Sequence, residues 1–151
     1  LIPLVISKAI KNQEIPLYGD GKNVRDWLFV EDHVDALILV ARNGIIGRNY
    51  CVGGAGEKTN KEVVQTICNL LDKKLNPISS YSKLIKHVID RPGHDRRYSI
   101  DATRIKSELG WEAKHTFDRG IDLTIDWYLE NKKWMDYIKD SSGYQGERIG
   151  I

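Results

Sequence analysis

Apolar positions recur along this chain at two spacings, and the switches between them mark its elements. After Pro3, which suits a first helical turn because its missing N–H would have no partner there, Leu4, Val5, Ile6, Ala9 and Ile10 form a helical stripe ending near Asn12. Ile15, Pro16, Leu17 and Tyr18 read as a short extended segment, placed at a sheet edge by the proline. Gly19, Asp20 and Gly21 signal a turn, and 24–30 is apolar and aromatic enough for a strand, with Arg25 and Asp26 near its start.

The pattern then returns to helical spacing. Glu31 and Asp32 open a helix whose apolar positions are Val34, Leu37, Ile38 and Ala41, the acidic pair suiting the positive end of the helix dipole. A short strand is expected over 48–52, halted by Gly53, Gly54 and Gly56. Thr59 and Glu62 have the spacing of a capping box, ahead of a helix with Val63, Val64, Ile67, Leu70 and Leu71 on its buried face. A third strand is expected at 87–89, then a charged loop over 90–97. Asp101 caps a short helix closed by Gly110. Thr116 caps the last long helix, to about Trp134, with Ile121, Thr124, Ile125, Tyr128 and Leu129 inward. From Lys139 onward the chain is polar and Gly-bearing, a loosely ordered tail. Strands and helices alternate, so the class is α/β or α+β, a small mixed sheet with packed helices.

Composition narrows the function classes. With 151 residues, 41% hydrophobic and 29% charged, the chain is long enough for a sizeable core and too apolar for disorder. Lys+Arg 23 against Asp+Glu 21 gives +2, not the basic excess of a nucleic-acid binder. No apolar run reaches the roughly 18 residues of a membrane span. Cys51 and Cys68 are too few for a disulfide scaffold and read as reduced, which fits a cytoplasmic protein. His33, His87, His94 and His115 are scattered, so no metal centre is expected. The only methionine is Met135 and the chain opens on Leu1, Ile2 and Pro3; a segment of a longer protein is the expectation.

Neither GxxGxxG nor GxGxxG follows a strand, and GxSxG, P-loop and HExxH patterns do not occur. Gly53, Gly54, Ala55 and Gly56 read as a strand-to-helix turn more readily than as a phosphate cradle. Glu31, Asp32 and His33 diverge on a helix and read as capping and surface residues rather than a catalytic trio. Asp90, Arg91, Pro92, Gly93, His94, Asp95, Arg96 and Arg97 are the most unusual run. Arginine forks match phosphate oxygens in pairs, so the loop suits a phosphate or diphosphate; a solvated loop with internal Arg–Asp pairs is the equal alternative. Tyr18 and Arg25 flank the 19–21 turn, where a hairpin would offer a flat face and a cation together. A plain cross-strand packing pair is the other reading.

The stretch from Tyr18 through Arg25, Asp26 and Trp27 to Val30, Glu31 and Asp32 resembles extended short-chain dehydrogenases/reductases. Asp90-Arg91-Pro92-Gly93-His94-Asp95-Arg96-Arg97-Tyr98 resembles the signature of the dTDP-glucose 4,6-dehydratase family within that group. Glu57-Lys58-Thr59-Asn60, Glu108-Leu109-Gly110-Trp111 and Trp127-Tyr128-Leu129 fit as well.

The resemblance implies that the chain is the C-terminal, substrate-binding part, 1–138 plus the tail, of an extended Rossmann-type nucleotide-sugar enzyme. It implies nucleotide-sugar contacts at Leu1, Pro16, Tyr18, Arg25, Asn60, Asp90, Arg91, Pro92, Gly93 and His94. Tyr18 would pack on thymine and Arg91 would meet the diphosphate. The substrate implied is dTDP-glucose, oxidised at C4 with NAD, dehydrated across C5–C6 and reduced at C6. The NAD-binding glycines, a Tyr-x-x-x-Lys pair and an acid–base Asp–Glu pair are expected in an N-terminal half, together with the homodimer contact, and none is expected in this chain. The 31–43 helix and the 49–52 strand are expected to complete that half's sheet. Tyr144 and Gln145 resemble the family's tail; the ending after them departs from it.

Overall fold

A computed structural model describes residues 1–142. They form two compact units, and the chain passes between them four times. The first unit holds Leu1–Asn23, Thr59–Asp95 and the chain from Asp122; the second holds Val24–Lys58 and Arg96–Ile121.

In the first unit, α1 (Ile2–Ile10) leads to β1 (Ile15–Tyr18). After the second unit's first segment come α3 (Asn60–Leu75), a 3₁₀ turn at Tyr81–Leu84 and β4 (Ile85–Val88). β1 and β4 pair in parallel, Ile15 opposite Ile85 and Tyr18 opposite Val88. The helix α3 is therefore the crossover that a parallel pair requires. Val5, Ile6 and Ala9 of α1, Ile15 and Leu17 of β1, and Val63, Val64, Ile67, Cys68 and Leu71 of α3 are buried. Burial pushes the Cys68 thiol up to about 11, so it stays protonated and inert.

The capping box at α3 forms as its spacing predicts. Thr59 Oγ1 accepts from the Glu62 N–H at 3.1 Å, and the Thr59 N–H donates to Glu62 Oε2 at 2.7 Å. Helix α5 (Phe117–Glu130) begins in the second unit and continues in the first, where Lys74 bridges Asp122 and Asp126 at 2.7 Å each.

In the second unit, β2 (Val24–Asp26) pairs with β3 (Glu57–Thr59), and Arg97 lies parallel to Val24 on a single bridge. Helices α2 (Val30–Asn43) and α4 (Thr103–Leu109) pack around Ala36, Ile105 and Trp111. Gly110 ends α4 at φ +69, the left-handed cap expected of it.

Several expectations change. The 24–30 strand stops at Asp26, and Val30 already starts α2. The 48–52 stretch is not a strand; its backbone is tied by Arg104, which donates to the Asn49 carbonyl at 3.0 Å. The long helix from Thr116 is two, α5 and then α6 (Lys132–Ser142), so 139–142 are helical rather than loose. The Tyr144–Gln145 resemblance lies outside the described residues.

Asp32 is no surface residue. It is 1% exposed and accepts from the His115 N–H at 3.0 Å and from His115 Nδ1 at 2.9 Å. Phe29 lies against the same imidazole, ring centroids 4.8 Å apart. The opposite stripe of α2 is open: Val30 is 65% exposed, Leu37 54%, and Val34 and Ile38 45% each.

Burial raises the Asp32 pKa, but the hydrogen bonds from the His115 side chain and backbone and the Lys114 backbone outweigh it, and the carboxyl sits below its ordinary 3.8. A depressed folded value means stability that is fully present above the unfolded value and lost as pH falls through the folded one. Asp32→Ala should cost about 2–3 kcal/mol near neutral pH, the range for orphaning buried partners. In urea titrations the gap between wild type and variant should shrink below about pH 4. A gap that stays constant down to pH 3 or so would show that the carboxylate charge is not what the His115 contact uses.

Candidate functional site

A parallel pair brings the carboxyl ends of both strands to one side, the edge at which open α/β sheets bind ligands. Here β1 ends at Tyr18 and β4 at Val88, and the chain leaving each forms a loop. The first loop turns at Gly19 and Gly21, with φ +56 and +71. Its Gly21 carbonyl accepts the Lys61 N–H at 2.9 Å, and the Asn23 carbonyl accepts the Asn60 N–H at 2.9 Å. The start of α3 is thereby docked on the loop, and Asn60 joins the same edge.

The second loop is fixed on itself and on the first. Asp90 Oδ1 accepts from the Arg91 N–H at 2.9 Å and from His94 Nδ1 at 2.7 Å. The His94 side chain is only 8% exposed. The His94 hydrogen bond leads in holding the Asp90 carboxyl below its ordinary range, with the Arg91 N–H adding to it. The Asn23 side-chain amide donates to the Asp95 carbonyl at 3.2 Å. Gly19 is the meeting point: its N–H donates to the Val88 carbonyl at 2.9 Å, and its own carbonyl accepts from His87 Nδ1 at 2.7 Å. A Cβ at Gly19 would lie 2.8 Å from Asp90 Oδ2.

Pro16, Tyr18, Asn60, Asp90, Arg91, Pro92, Gly93 and His94 are thus gathered in one unit. Arg91 directs only its N–H into the loop; among the described residues its guanidinium makes no hydrogen bond or ion pair. The Asn60 side-chain amide likewise has no hydrogen-bond partner among them. The backbone N–H groups that open α3 are already used, so an anion there would meet side chains rather than the helix end. Leu1 stands at the cap of α1, 38% exposed, and no hydrogen bond ties it to the loops.

Arg25 is elsewhere. The expected Tyr18–Arg25 hairpin does not form, because β1 pairs with β4 while β2 pairs with β3 in the second unit. Arg25 lies with its guanidinium carbon 4.4 Å from the centre of the Tyr98 ring, and its Nη1 donates to the Val24 carbonyl at 2.6 Å.

The Gly53–Gly56 turn is filled from within. Asp26 accepts from the Gly54 N–H at 3.1 Å and the Gly56 N–H at 2.9 Å. Cβ atoms at Gly54 and Gly56 would approach the Trp27 carbonyl to 2.9 and 2.6 Å. The glycines serve a close backbone approach between irregular chain and β3, not the strand-to-helix turn expected, and the Asp26 carboxylate takes the N–H groups that a phosphate would need. Arg97 is also engaged, donating to both Glu57 oxygens at 3.2 and 2.7 Å.

Tyr-x-x-x-Lys spacing does occur twice, at Tyr18/Lys22 and Tyr128/Lys132. The first straddles the 19–21 turn. Burial pushes the Tyr128 phenol up, opposite to what a proton-transferring tyrosine at neutral pH needs. With these pairs and the filled glycine turn, the described residues do not fit a dinucleotide cofactor. They also hold no cluster of His, Cys, Asp or Glu suited to a metal, and no helix long and apolar enough to cross a membrane. Sequence reasoning missed the parts that His87 and Asn23 play in fixing the two loops. His87 was legible only through the register that sets it opposite Leu17.

An α/β chain with a loop-built polar site at the carboxyl edge of a parallel pair has the ligand-binding arrangement of open α/β sheets. A family model described as GDP-mannose 4,6 dehydratase matches residues 1–124, and the chain belongs to that family. It is 53% identical over 152 residues to dTDP-glucose 4,6-dehydratase of Xanthomonas campestris pv. campestris (strain B100), covering 99% of this chain and 43% of that protein. It is similar to the crystal structure of dTDP-glucose 4,6-dehydratase from Bacillus anthracis str. Ames in complex with NAD, with TM-score 0.82, 45% identity, and 92% of this chain and 42% of that one covered. A dTDP-glucose 4,6-dehydratase from Streptomyces venezuelae with NAD and TYD bound matches at TM-score 0.77 and 38% identity, over 89% of this chain and 39% of that one. The chain spans about two fifths of the length of these relatives.

Gly19→Ala should strain a left-handed residue and press a methyl on the Asp90 carboxylate. A loss of about 1–2 kcal/mol is expected, with the His94 imidazole resonances displaced in the same variant. Unchanged stability and unchanged His94 signals would mean that the two loops are not held at Gly19.

Proposed function

We propose that this chain is the C-terminal, nucleotide-sugar-binding part of a cytoplasmic dTDP-glucose 4,6-dehydratase that binds NAD and dimerises through chain outside this segment. The observation that carries the reading is the cluster at the β1–β4 edge: an aromatic face at Tyr18, the Asn60 amide, and an Arg91 fork held out by a loop closed on Asp90 and His94. Pro16 and Leu1 pack about the base, and Pro92 and Gly93 shape the loop; the resemblance alone gives Arg25 a part in the diphosphate site. The open apolar stripe of α2 supports a sheet covering that face in the whole protein.

In the whole enzyme, dTDP-glucose would be oxidised at C4, lose water across C5–C6 and be reduced at C6, giving dTDP-4-dehydro-6-deoxyglucose. NAD supplies the hydride chemistry. The residues of this chain hold the nucleotide, and with it the sugar, in place; positioning of this kind is worth a large part of a catalytic barrier. The chain alone should turn over no dTDP-glucose and retain no NAD. A UDP-sugar epimerase or dehydratase is the second reading, favoured only by the tolerance of stacking for either base; a stand-alone nucleotide-sugar binding module without catalysis is the alternative from another class.

Titration of dTDP and UDP into the chain tests the proposal. One buried methyl is worth about 0.8 kcal/mol, so dTDP should bind roughly fourfold tighter. Tyr18→Phe should bind as wild type, and Tyr18→Ala should weaken both ligands by about 1 kcal/mol, the low end for base stacking. Arg91→Ala should cost about 1.5–3 kcal/mol, with lysine recovering only part because a point charge lacks the fork. If phenylalanine is as damaging as alanine at Tyr18, the hydroxyl and not the ring makes the contact. Unchanged affinity in Arg91→Ala returns that loop to a solvated surface, and tighter binding of UDP favours the epimerase.

A further inference from the structure

Asn23 ends the loop that follows β1, and it is 3% exposed. Its two polar ends reach the other two segments of the candidate site, all of them in the first unit. Its backbone carbonyl accepts the Asn60 N–H at 2.9 Å, at the start of α3. Its side-chain amide donates to the Asp95 carbonyl at 3.2 Å, where the Arg91 loop ends. A carbonyl only accepts, so the amide nitrogen has to face Asp95, and Oδ1 is turned away from it. That Oδ1 is buried and has no hydrogen-bond partner among the described residues.

This balance is poor for stability. A neutral hydrogen bond returns less than the burial of an unpaired acceptor costs. An apolar side chain of similar size would hold the fold as well, and any residue at this position could hold Asn60 by its carbonyl. Only the side-chain amide grips Asp95. The Arg91 loop is already tied at its near end, where the Val88 carbonyl accepts the Gly19 N–H at 2.9 Å. Asn23 ties the far end, so Arg91 lies between two points fixed on the loop after β1.

We infer that Asn23 is a positioning residue: its side-chain amide anchors the far end of the Arg91 loop to the segment whose carbonyl holds Asn60, and so fixes where Arg91 stands relative to the rest of the nucleotide site. This deepens the function proposed above and rests on it, since the group Arg91 is held toward is the diphosphate of the nucleotide.

The test separates placement from fold and from base binding. The chain is titrated with dTDP and with thymidine, which has the base but no diphosphate, in wild type, Asn23→Leu, Asn23→Ala, Arg91→Ala and the Asn23→Leu/Arg91→Ala double variant. Asn23→Leu should resist urea at least as well as wild type. It should nevertheless bind dTDP about two- to tenfold more weakly, the worth of one neutral hydrogen bond, with thymidine unchanged. Asn23→Ala, which cannot clash, should show the same loss of dTDP affinity. In the double variant Asn23→Leu should add nothing to Arg91→Ala. The Arg91 amide and His94 imidazole resonances should move in both Asn23 variants; if they stay in place, the loop is not held from Asn23 and the inference is wrong. If Arg91→Ala weakens dTDP and neither Asn23 variant does, Asn23 only supports the fold, and the proposed function stands without the inference. If the Asn23 variants weaken dTDP and thymidine alike, or their loss adds fully to that of Arg91→Ala, Asn23 acts by another route. If Arg91→Ala leaves dTDP affinity unchanged, the diphosphate role of Arg91 fails, and the inference with it.

Discussion

The candidate site depends on the parallel pairing of β1 with β4. Antiparallel strands would send the chains leaving Tyr18 and Val88 to opposite ends of the pair. Parallel pairing sends both to the same edge, where a loop from each can close on the other. The pairing needs a crossover, and α3 supplies it with an apolar face buried against α1 and β1. A helix that closes a parallel unit must also begin near the edge where β1 ends. Asn60 reaches the site by that constraint, with its N–H bound to the Asn23 carbonyl.

Charge at this edge is sorted by local competition. Asp90 is surrounded by donors and spends itself on the Arg91 N–H and His94, which shapes the loop without neutralising the Arg91 fork. In the second unit, Asp26 fills the Gly53–Gly56 turn and Glu57 takes up Arg97. An arginine loop read from sequence looks like one positive patch. In the fold its members have different tasks, because carboxylates distant in sequence arrive to meet some of them. Arg97 meets Glu57 across forty positions, a pairing that spacing alone does not reveal.

Local signals were legible and non-local ones were not. Pro3 at a helix start, the Thr59–Glu62 box and Gly110 at a helix end each act within a few residues, and each formed as spaced. The 48–52 strand failed because its apolar alternation found no ladder among the described residues, and Tyr50 and Val52 pack against the α2–α4 core instead. Asp32 was read as exposed because a helix start is normally wet; its partner, His115, is 83 positions away. The Tyr18–Arg25 hairpin failed for a similar reason. A Gly-Asp-Gly turn reverses the chain locally, but it does not decide which strand becomes the neighbour, and β4 and β3 were better partners for β1 and β2. The residues that the resemblance assigns to the loop, by contrast, are contiguous, so their gathering needed no long-range pairing to be foreseen.

Recognition by such a site has a limit set by its chemistry. An aromatic face at Tyr18 attracts any flat base, and an arginine fork attracts any diphosphate, so neither separates one pyrimidine nucleotide from another. Only a fitted apolar contact with the thymine methyl does, and one methyl yields roughly a fourfold preference. In the proposed function Pro16 is suited to that contact: it sits two residues before Tyr18, the carboxyl end of β1, its ring is rigid, and it has no N–H to leave unsatisfied beside an apolar group. A preference of that size is modest beside the cost of misplacing the sugar. In the proposed function the greater part of selectivity then falls to the chemistry that follows binding, which would depend on how rigidly the two loops hold a nucleotide, and so returns to Gly19, where the turn after β1 meets Asp90.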